Sequence, residues 1–148
     1  MRSAMAKMCS ILTALLVLSG ILVPAAFCAD KEWLLLDENQ GSSFFINTAN
    51  MEKPKAGVVR VTTRVLYTKE GKAEALKTLA ASKTLEKLYE TRYRYDIDCS
   101  ERESKLLEVT HLDKNGGTLK YTNLSAFTEW ESIPPEARMA LVAEASCH

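Results

Sequence analysis

Apolar and polar side chains alternate along residues 89–99, which read Tyr-Glu-Thr-Arg-Tyr-Arg-Tyr-Asp-Ile-Asp-Cys. Successive side chains of a β-strand point to opposite faces, so this period of two predicts a strand with one buried and one solvated face. Tyr89, Tyr93 and Tyr95 share the parity of the apolar residues. We therefore expect these tyrosines to face the core, where their hydroxyl groups need hydrogen-bond partners.

The first half of the chain contains further strand patterns. β-Branched residues dominate residues 58–68, with valine, threonine and tyrosine on one parity and arginine on the other. Short apolar runs at residues 33–36 and 44–47 are separated by a Gly-Ser-Ser turn and predict a hairpin. Residues 51–57 contain Lys-Pro-Lys and a glycine, so we expect a loop there.

The second half contains another predicted hairpin. Its strands, residues 105–112 and 118–124, are separated by Asp-Lys-Asn-Gly-Gly at residues 113–117. Asparagine and glycine tolerate the positive φ that tight turns require. Farther on, Trp130 and Ile133 are large apolar residues in a polar segment, and we expect both to cover the core.

A helix is predicted in the middle of the chain. Residues 70–87 are rich in alanine, leucine, glutamate and lysine, and Leu76, Leu79 and Ala80 follow helical spacing. We expect roughly two to four helical turns, with fraying near residues 82–84 before the tyrosine-rich strand.

A final helix is predicted to begin at Pro134-Pro135, because proline is tolerated in the first helical turn. Its expected apolar stripe comprises Ala137, Ala140, Leu141 and Ala145. The predicted fold class is α+β: an antiparallel β-sheet packed with this C-terminal helix, with a second helix inserted mid-chain.

The N-terminus has the layout of a secretory signal peptide. Basic residues precede an apolar run at residues 11–23, and small residues follow it. We expect residues 1–28 to be a signal peptide that is cleaved near Cys28 and Ala29. An uncleaved anchor is one alternative, since the apolar stretch approaches the ~20 residues of a spanning helix. Lipidation of Cys28 is another, which Phe27 disfavours because that processing needs a small residue before the cysteine.

Length and composition predict one globular domain over residues 30–148. The chain has 148 residues, of which 47% are hydrophobic and 26% are charged, as in proteins that bury a core. Basic and acidic residues number 19 each, and two basic residues lie before residue 30, so the mature net charge is −2. A near-neutral domain has no overall field to draw it to nucleic acid or anionic lipid.

The cysteines predict one disulfide. Cys9 and Cys28 are expected to leave with the signal peptide, so the mature chain keeps Cys99 and Cys147. An even pair in an oxidising compartment favours a disulfide between them. A zinc site or a redox motif is less favoured, because the two cysteines are far apart in sequence and neither lies in a C-x-x-C motif.

The residues predict no catalytic, metal or cofactor site, so we do not expect an enzyme. The two histidines are His111, on a predicted strand, and His148, and the sequence contains neither a nucleophile elbow nor a phosphate-binding glycine loop. Asp96 and Asp98 share a strand face and could serve as acid and base. Arginines of the same face favour ordinary surface ion pairs instead.

The surface feature with a candidate binding role is a set of four arginines, two on each of two predicted strands: Arg60, Arg64, Arg92 and Arg94. If those strands pair in suitable register, the guanidinium groups share one outer face that could bind carboxylates, sulfates or glycans. A cross-strand ladder of ion pairs is the favoured alternative. Its acidic members would be Glu90, Asp96 and Asp98.

In their order and spacing, several features resemble the surface-adhesin protein E-like domain family of bacterial exported proteins. The resemblance covers residues 33–147, most specifically residues 97–147. It is carried by Trp33, Asp98-Cys99 with Arg102, Leu106-Leu107, Asp113-Lys114-Asn115-Gly116, Trp130 before Ile133-Pro134-Pro135, and Cys147.

The resemblance implies an antiparallel sheet with a C-terminal helix, a disulfide between the two cysteines, and an outer-membrane homodimer that binds extracellular-matrix proteins. The sequence departs from the family in its imperfect lipoprotein signal at Cys28 and in its helical residues 70–87. We expect an exported envelope protein, in the periplasm or at the cell surface, that acts as a non-catalytic binding module for extracellular or envelope proteins. A periplasmic accessory protein of unknown partner is the alternative.

Overall fold

A computed structural model describes residues 32–79 and 83–148 of the chain. The expected signal peptide at residues 1–28, and the expected helical residues 80–82, lie outside the described residues.

An antiparallel sheet contains most of the regular structure in the described residues. Its strands are β1 (Trp33–Glu38), β2 (Ser42–Asn47), β3 (Glu52–Lys55), β4 (Val58–Tyr67), β5 (Glu90–Asp98), β6 (Glu103–Leu112), β7 (Thr118–Asn123) and β8 (Glu131–Ser132). The main order is β1-β2-β4-β5-β6-β7; β3 pairs with β4, and β8 pairs with β6. Both predicted hairpins are therefore confirmed, and β1 and β7 lie at the two ends of the main order.

The prediction of a loop at residues 51–57 was wrong in part. Residues Glu52–Lys55 form β3, which pairs antiparallel with the first half of β4 in an irregular register. All of its residues are exposed, so the sequence carries no alternation of buried and exposed positions there. Pro54 is compatible with this position, because proline occurs on edge strands.

Alternation along β4 and β5 separates an inner face of the sheet from an outer face. The inner face carries the buried core residues of the central strands: Phe44, Ile46, Val59, Val61 and Ile97. Burying such side chains contributes about 1.5–3 kcal/mol each, so this face provides much of the driving force for folding.

The prediction that all three tyrosines of the β5 region face the core was wrong for one of them. Tyr89 is 38% exposed and lies directly before β5, which begins at Glu90. Tyr93 and Tyr95 lie opposite Thr63 and Val61 of the inner face, and both are half-buried. Burial raises the pKa of the Tyr95 phenol to about 12.

The mid-chain helix is confirmed as α1 (Lys69–Thr78), followed by a short 3₁₀ helix (Lys83–Lys87). Thr68 caps α1, since its side-chain oxygen accepts a hydrogen bond from the Gly71 backbone N–H at 3.1 Å. α1 buries no residue fully. The C-terminal helix, described next, packs against the inner face of the sheet.

The C-terminal helix α2 spans Arg138–Ser146, so the predicted start at Pro134-Pro135 was wrong. The predicted apolar stripe of this helix was also wrong in part. The residues that the helix buries are Ala140, Val142, Ala143 and Ser146. Nearly every residue of this segment is small or apolar, so its sequence did not define which side faces the sheet. Ile133 precedes the helix and is buried in the same core, as expected. Trp130 is only half-buried, with the Lys55 amine 5.8 Å from its ring centre.

Two links hold the ends of α2 to the sheet. The predicted disulfide is confirmed between Cys99 and Cys147, whose Cα atoms are 5.6 Å apart. At the other end, Arg138 Nε donates to Asp37 Oδ2 at 2.6 Å, and its Nη1 donates to Ser42 Oγ at 2.9 Å.

Replacing Arg138 by Ala is expected to lower the free energy of unfolding by about 2 kcal/mol, because hydrogen bonds to a partly buried charged group are lost. Urea denaturation measures this change. Lys77→Ala is the control, since its ion pair with Glu74 is exposed at 71% and 73% and such pairs contribute about 0–1 kcal/mol. Equal effects of the two substitutions would contradict the role of Arg138 as a link.

Candidate functional site

All four predicted arginines lie on the outer face, which we call the arginine face. The register of β4 with β5 places Arg64 opposite Arg92, Thr62 opposite Arg94, and Arg60 opposite Asp96. Residues directly opposite each other in an antiparallel pair share a face of the sheet. The condition attached to the sequence prediction, a suitable register, is therefore met.

Arg60 forms the most complete ion pair of this face. Its Nε and Nη2 atoms donate to the two carboxylate oxygens of Asp96 at 2.7 and 2.9 Å. The hydrogen bond with Asp96 raises the pKa of Arg60. Asp96 is only 9% exposed, so the bidentate pair satisfies a largely buried carboxylate.

Carboxylates also contact two other arginines of the face. Arg92 Nε donates to Glu90, two residues away on the same strand. Arg94 donates to Glu52 of β3 at 3.0 Å and lies 3.9 Å from Glu108 of β6. The predicted ladder of ion pairs is thus present at Arg60, Arg92 and Arg94.

Asp98 has a different role from the one expected in the ladder. Its Oδ1 accepts hydrogen bonds from the Ser100 and Glu101 backbone N–H groups and from the Ser100 hydroxyl. These bonds, led by that of Glu101, lower the pKa of Asp98. Asp98 therefore stabilises the turn between β5 and β6.

Arg64 lies among aromatic rings that the sequence argument had not connected with it. Its guanidinium carbon is 4.4 Å from the ring centre of Trp33 and 4.7 Å from that of Phe45. The guanidinium carbon of Arg92 is 5.7 Å from the same Trp33 ring. The adjacent residues Phe44 and Phe45 did indicate an aromatic ring on the outer face. Neighbouring strand positions face opposite ways, so one of the two rings had to point outward.

These residues belong to a row that crosses the sheet at right angles to the strands. Its members, opposite one another from β1 to β7, are Leu35, Phe45, Arg64, Arg92, Thr110 and Tyr121. We call this set the cross-sheet row. Its end residues Leu35 and Tyr121 are 49% and 54% exposed. The row therefore presents apolar, aromatic and cationic groups side by side on the arginine face.

His111 lies on the inner face in a buried polar chain. The Tyr67 hydroxyl donates to Thr91 Oγ1 at 3.1 Å, and Thr91 Oγ1 is 2.9 Å from His111 Nδ1. A hydroxyl beside an imidazole is a pairing that nucleophilic enzymes use. Here Thr91 is 0% and His111 only 5% exposed, so the pair serves to satisfy buried polar groups.

Lowering the pH is expected to destabilise the protein through His111. Burial, followed by repulsion from Lys120, lowers the pKa of His111 below its ordinary 6.5. Below pH 6.5 the unfolded chain therefore binds this proton more readily than the folded protein does. The free energy of unfolding should fall by up to about 1.4 kcal/mol per pH unit in this range.

Urea denaturation at pH 7 and pH 5.5 measures this loss. His111→Gln should remove it, and His148→Gln, at the exposed C-terminus, is the control that should retain it. A pH dependence unchanged in His111→Gln would contradict the assignment.

Beyond the arginine face, the described residues offer less for three other features: a metal site, a membrane-spanning helix and a cavity. No group of three or more His, Cys, Asp or Glu side chains there is placed to hold a metal ion. No helix in that part of the chain is long and apolar enough to cross a membrane. An open cavity of about 390 Å³ adjoins the disulfide and is lined by Asp98, Cys99, Arg102, Ala143, Glu144 and Cys147.

Comparisons with known proteins agree with the fold. The family model for surface-adhesin protein E matches residues 33–148. Protein E of Haemophilus influenzae is a similar solved structure, with a TM-score of 0.54 and 12% sequence identity over 84% of this chain and 89% of that chain. A comparison with curated protein sequences finds no match.

Proposed function

This chain belongs to the surface-adhesin protein E family, and we propose that it is an exported envelope protein that binds other proteins through its arginine face. The family is one of surface adhesins, which associates the chain with binding at the cell surface. The partners in this proposal are extracellular-matrix or envelope proteins, and no catalytic step is involved.

One observation carries the proposal: the two faces of the sheet are unequally covered. The inner face packs against α2 and holds the core. The outer face keeps arginine and aromatic side chains half-exposed, including Trp33, Arg64 and Arg92. Tryptophan, tyrosine and arginine are the residues that most often dominate the energy of protein–protein interfaces.

Binding of matrix glycoproteins by the purified mature domain tests the proposal. We expect saturable binding that weakens as the salt concentration rises, because screening reduces charge attraction. Replacing the four arginines Arg60, Arg64, Arg92 and Arg94 by Ala should abolish binding. The control replaces four lysines outside the face, Lys69, Lys72, Lys77 and Lys83, and changes the net charge equally. Absence of binding at micromolar concentration would contradict adhesion.

Export is the second part of the proposal. A signal peptide at residues 1–28 would deliver the domain to an oxidising compartment, where the Cys99–Cys147 disulfide forms. Cell fractionation combined with labelling of Cys28 distinguishes a soluble periplasmic product from a lipid-anchored surface protein. Recovery of the uncleaved chain in the cytoplasm would contradict export.

A periplasmic accessory protein is the alternative function. The ion-pair ladder favours it, because carboxylates already engage Arg60, Arg92 and Arg94 and reduce the charge available to a matrix ligand. Crosslinking in intact cells, followed by pulldown from the periplasm, should then recover one envelope partner.

Crosslinking also tests a homodimer, in which edge strand β1, with Leu34 49% exposed, would pair with a second copy.

A further inference from the structure

We propose that the open cavity beside the disulfide binds a free α-amino acid with an apolar side chain. Arg102 would bind the carboxylate of this ligand, and Glu144 and Asp98 would bind its ammonium group. The inference goes beyond the proposed function, because it concerns a small molecule and uses none of the arginines of the arginine face.

The cavity lies between the β5–β6 turn and the C-terminal end of α2. Its lining residues are Asp98, Cys99 and Arg102 on the side of the turn, and Ala143, Glu144 and Cys147 on the side of the helix. The disulfide joins the two sides, and the Cα atoms of its cysteines are 5.6 Å apart. A site whose walls are held in place loses less entropy on binding. Its volume of about 390 Å³ is in the range of small-molecule sites.

Arg102 has an unusual backbone conformation in this turn. Its φ is +55°, and it is the only non-glycine residue in the described part of the chain with a positive φ. The Cβ atom of an L-residue disfavours this region, and strain of this kind concentrates at functional sites. Glycine would occupy the position without strain. An arginine is therefore unfavourable for the turn itself, and a binding role of its side chain accounts for it.

The charged groups of the cavity keep hydrogen-bonding capacity for a ligand. Within residues 32–79 and 83–148, no side-chain hydrogen bond or ion pair engages the Arg102 guanidinium or the Glu144 carboxylate. Asp98 accepts its hydrogen bonds from the turn through Oδ1, so Oδ2 remains for a ligand. These bonds, led by that of the Glu101 backbone, lower the pKa of Asp98, and its carboxylate is therefore ionised at neutral pH.

The combination of charges matches an amino-acid zwitterion. A guanidinium presents parallel N–H groups to a carboxylate, and an ammonium group donates three hydrogen bonds, for which Glu144 and Asp98 supply acceptors. Ala143 and the disulfide add apolar surface, against which the ligand side chain would pack. An anion without an ammonium group would be repelled by the two carboxylates, and a cation without a carboxylate would be repelled by Arg102.

The test uses leucine and the mature, oxidised domain. Two-dimensional NMR follows the Arg102 Nε–H signal and the backbone N–H signals of Glu144 and Cys147 during the titration. Leucinamide, which lacks the carboxylate, and N-acetylleucine, which lacks the ammonium group, are the comparison compounds. We expect leucine to shift these signals and to bind at least about tenfold more tightly than either analogue, because each analogue loses hydrogen bonds between charged groups.

Two substitutions then locate the ligand. Arg102→Gly should weaken leucine binding by at least about tenfold. This variant should unfold at a urea concentration no lower than that of the wild type, since glycine relieves the strain. Glu144→Gln should also weaken binding by about tenfold. The matched controls are Lys114→Gln and Glu136→Gln, which alter exposed residues outside the cavity and should bind as the wild type does.

Four outcomes would overturn the inference. Three concern binding: no saturable change of the signals at millimolar leucine, equal affinity for leucine and either analogue, and wild-type affinity in Arg102→Gly. The fourth is a lower urea midpoint of Arg102→Gly, because the arginine would then be present for the stability of the turn. Binding of proteins to the arginine face is measured separately and is unaffected by these results, since none of its arginines is substituted.

Discussion

Removal of the disulfide is expected to lower the free energy of unfolding by about 4 kcal/mol. Cys99 and Cys147 close a loop of 48 residues, and opening it increases the conformational entropy of the unfolded chain. The double variant Cys99→Ser, Cys147→Ser should show this loss in urea denaturation. Small domains are stable by only about 5–15 kcal/mol, so the variant should unfold at a much lower urea concentration.

Reduction of the wild-type protein provides the matched measurement, because it breaks the same disulfide bond without changing any residue. Its unfolding free energy should equal that of the double variant. Hydrogen exchange should increase most at the C-terminal end of α2, since Arg138 still holds the other end through Asp37. Unchanged stability in both the reduced protein and the double variant would show that the helix docks without the covalent link.

Gly71→Ala is expected to cost about 3 kcal/mol, the upper part of the range for a group inserted into a filled space. A Cβ atom at Gly71 would lie 1.8 Å from the carbonyl oxygen of Gly41, so backbone would have to move. The N-terminus of α1 contacts the turn between β1 and β2 directly. The Thr68 N–H donates to the Gly41 carbonyl oxygen at 3.0 Å, and the Thr68 hydroxyl donates to the Gln40 carbonyl oxygen at 2.8 Å. The variant should therefore also show faster hydrogen exchange in α1.

Gly41→Ala is the control, because it adds the same atom to the other side of the same contact. Its Cβ would meet Asn39 Oδ1 and the Gly71 Cα at 3.5 Å, which is ordinary van der Waals contact. We expect its unfolding free energy to stay within about 0.5 kcal/mol of the wild type. If the two variants were equally stable, the close approach of α1 to the turn would not be a feature of the protein in solution.

These stability predictions also bear on function. α2, the disulfide and Arg138 act on the inner face of the sheet, whereas the candidate binding residues lie on the outer face. A variant that loosens α2 should therefore reduce binding only as far as it unfolds the sheet. Substitutions at Arg64 or Arg92 should do the reverse and change binding with little effect on the core.

The sequence was most informative where a regular alternation of side chains decides which face of an element is buried. The alternation along β4 and β5 correctly assigned Val59, Val61 and Ile97 to the core and the four arginines to the opposite face. The two remaining cysteines likewise indicated the disulfide before any geometry was known. Both inferences rest on local rules: strand side chains alternate, and a pair of exported cysteines oxidises.

The sequence was less informative where a segment lacks contrast between its residues. α2 consists almost wholly of small and apolar residues, so its buried side was decided by contact with Phe44, Ile46 and the other core residues of the sheet. β3 is entirely exposed, and only its pairing with β4 makes it a strand.

By itself, the sequence determined the α+β class, the positions of the main strands, the disulfide pair and the fact that arginines lie opposite the core. Only the tertiary structure decided which arginines meet. Arg64 opposes Arg92 because β4 and β5 pair in one register, and Trp33 reaches both because β1 and β2 extend the same sheet. Register depends on contacts between residues far apart in sequence, so the juxtaposition of these side chains is a property of the folded sheet.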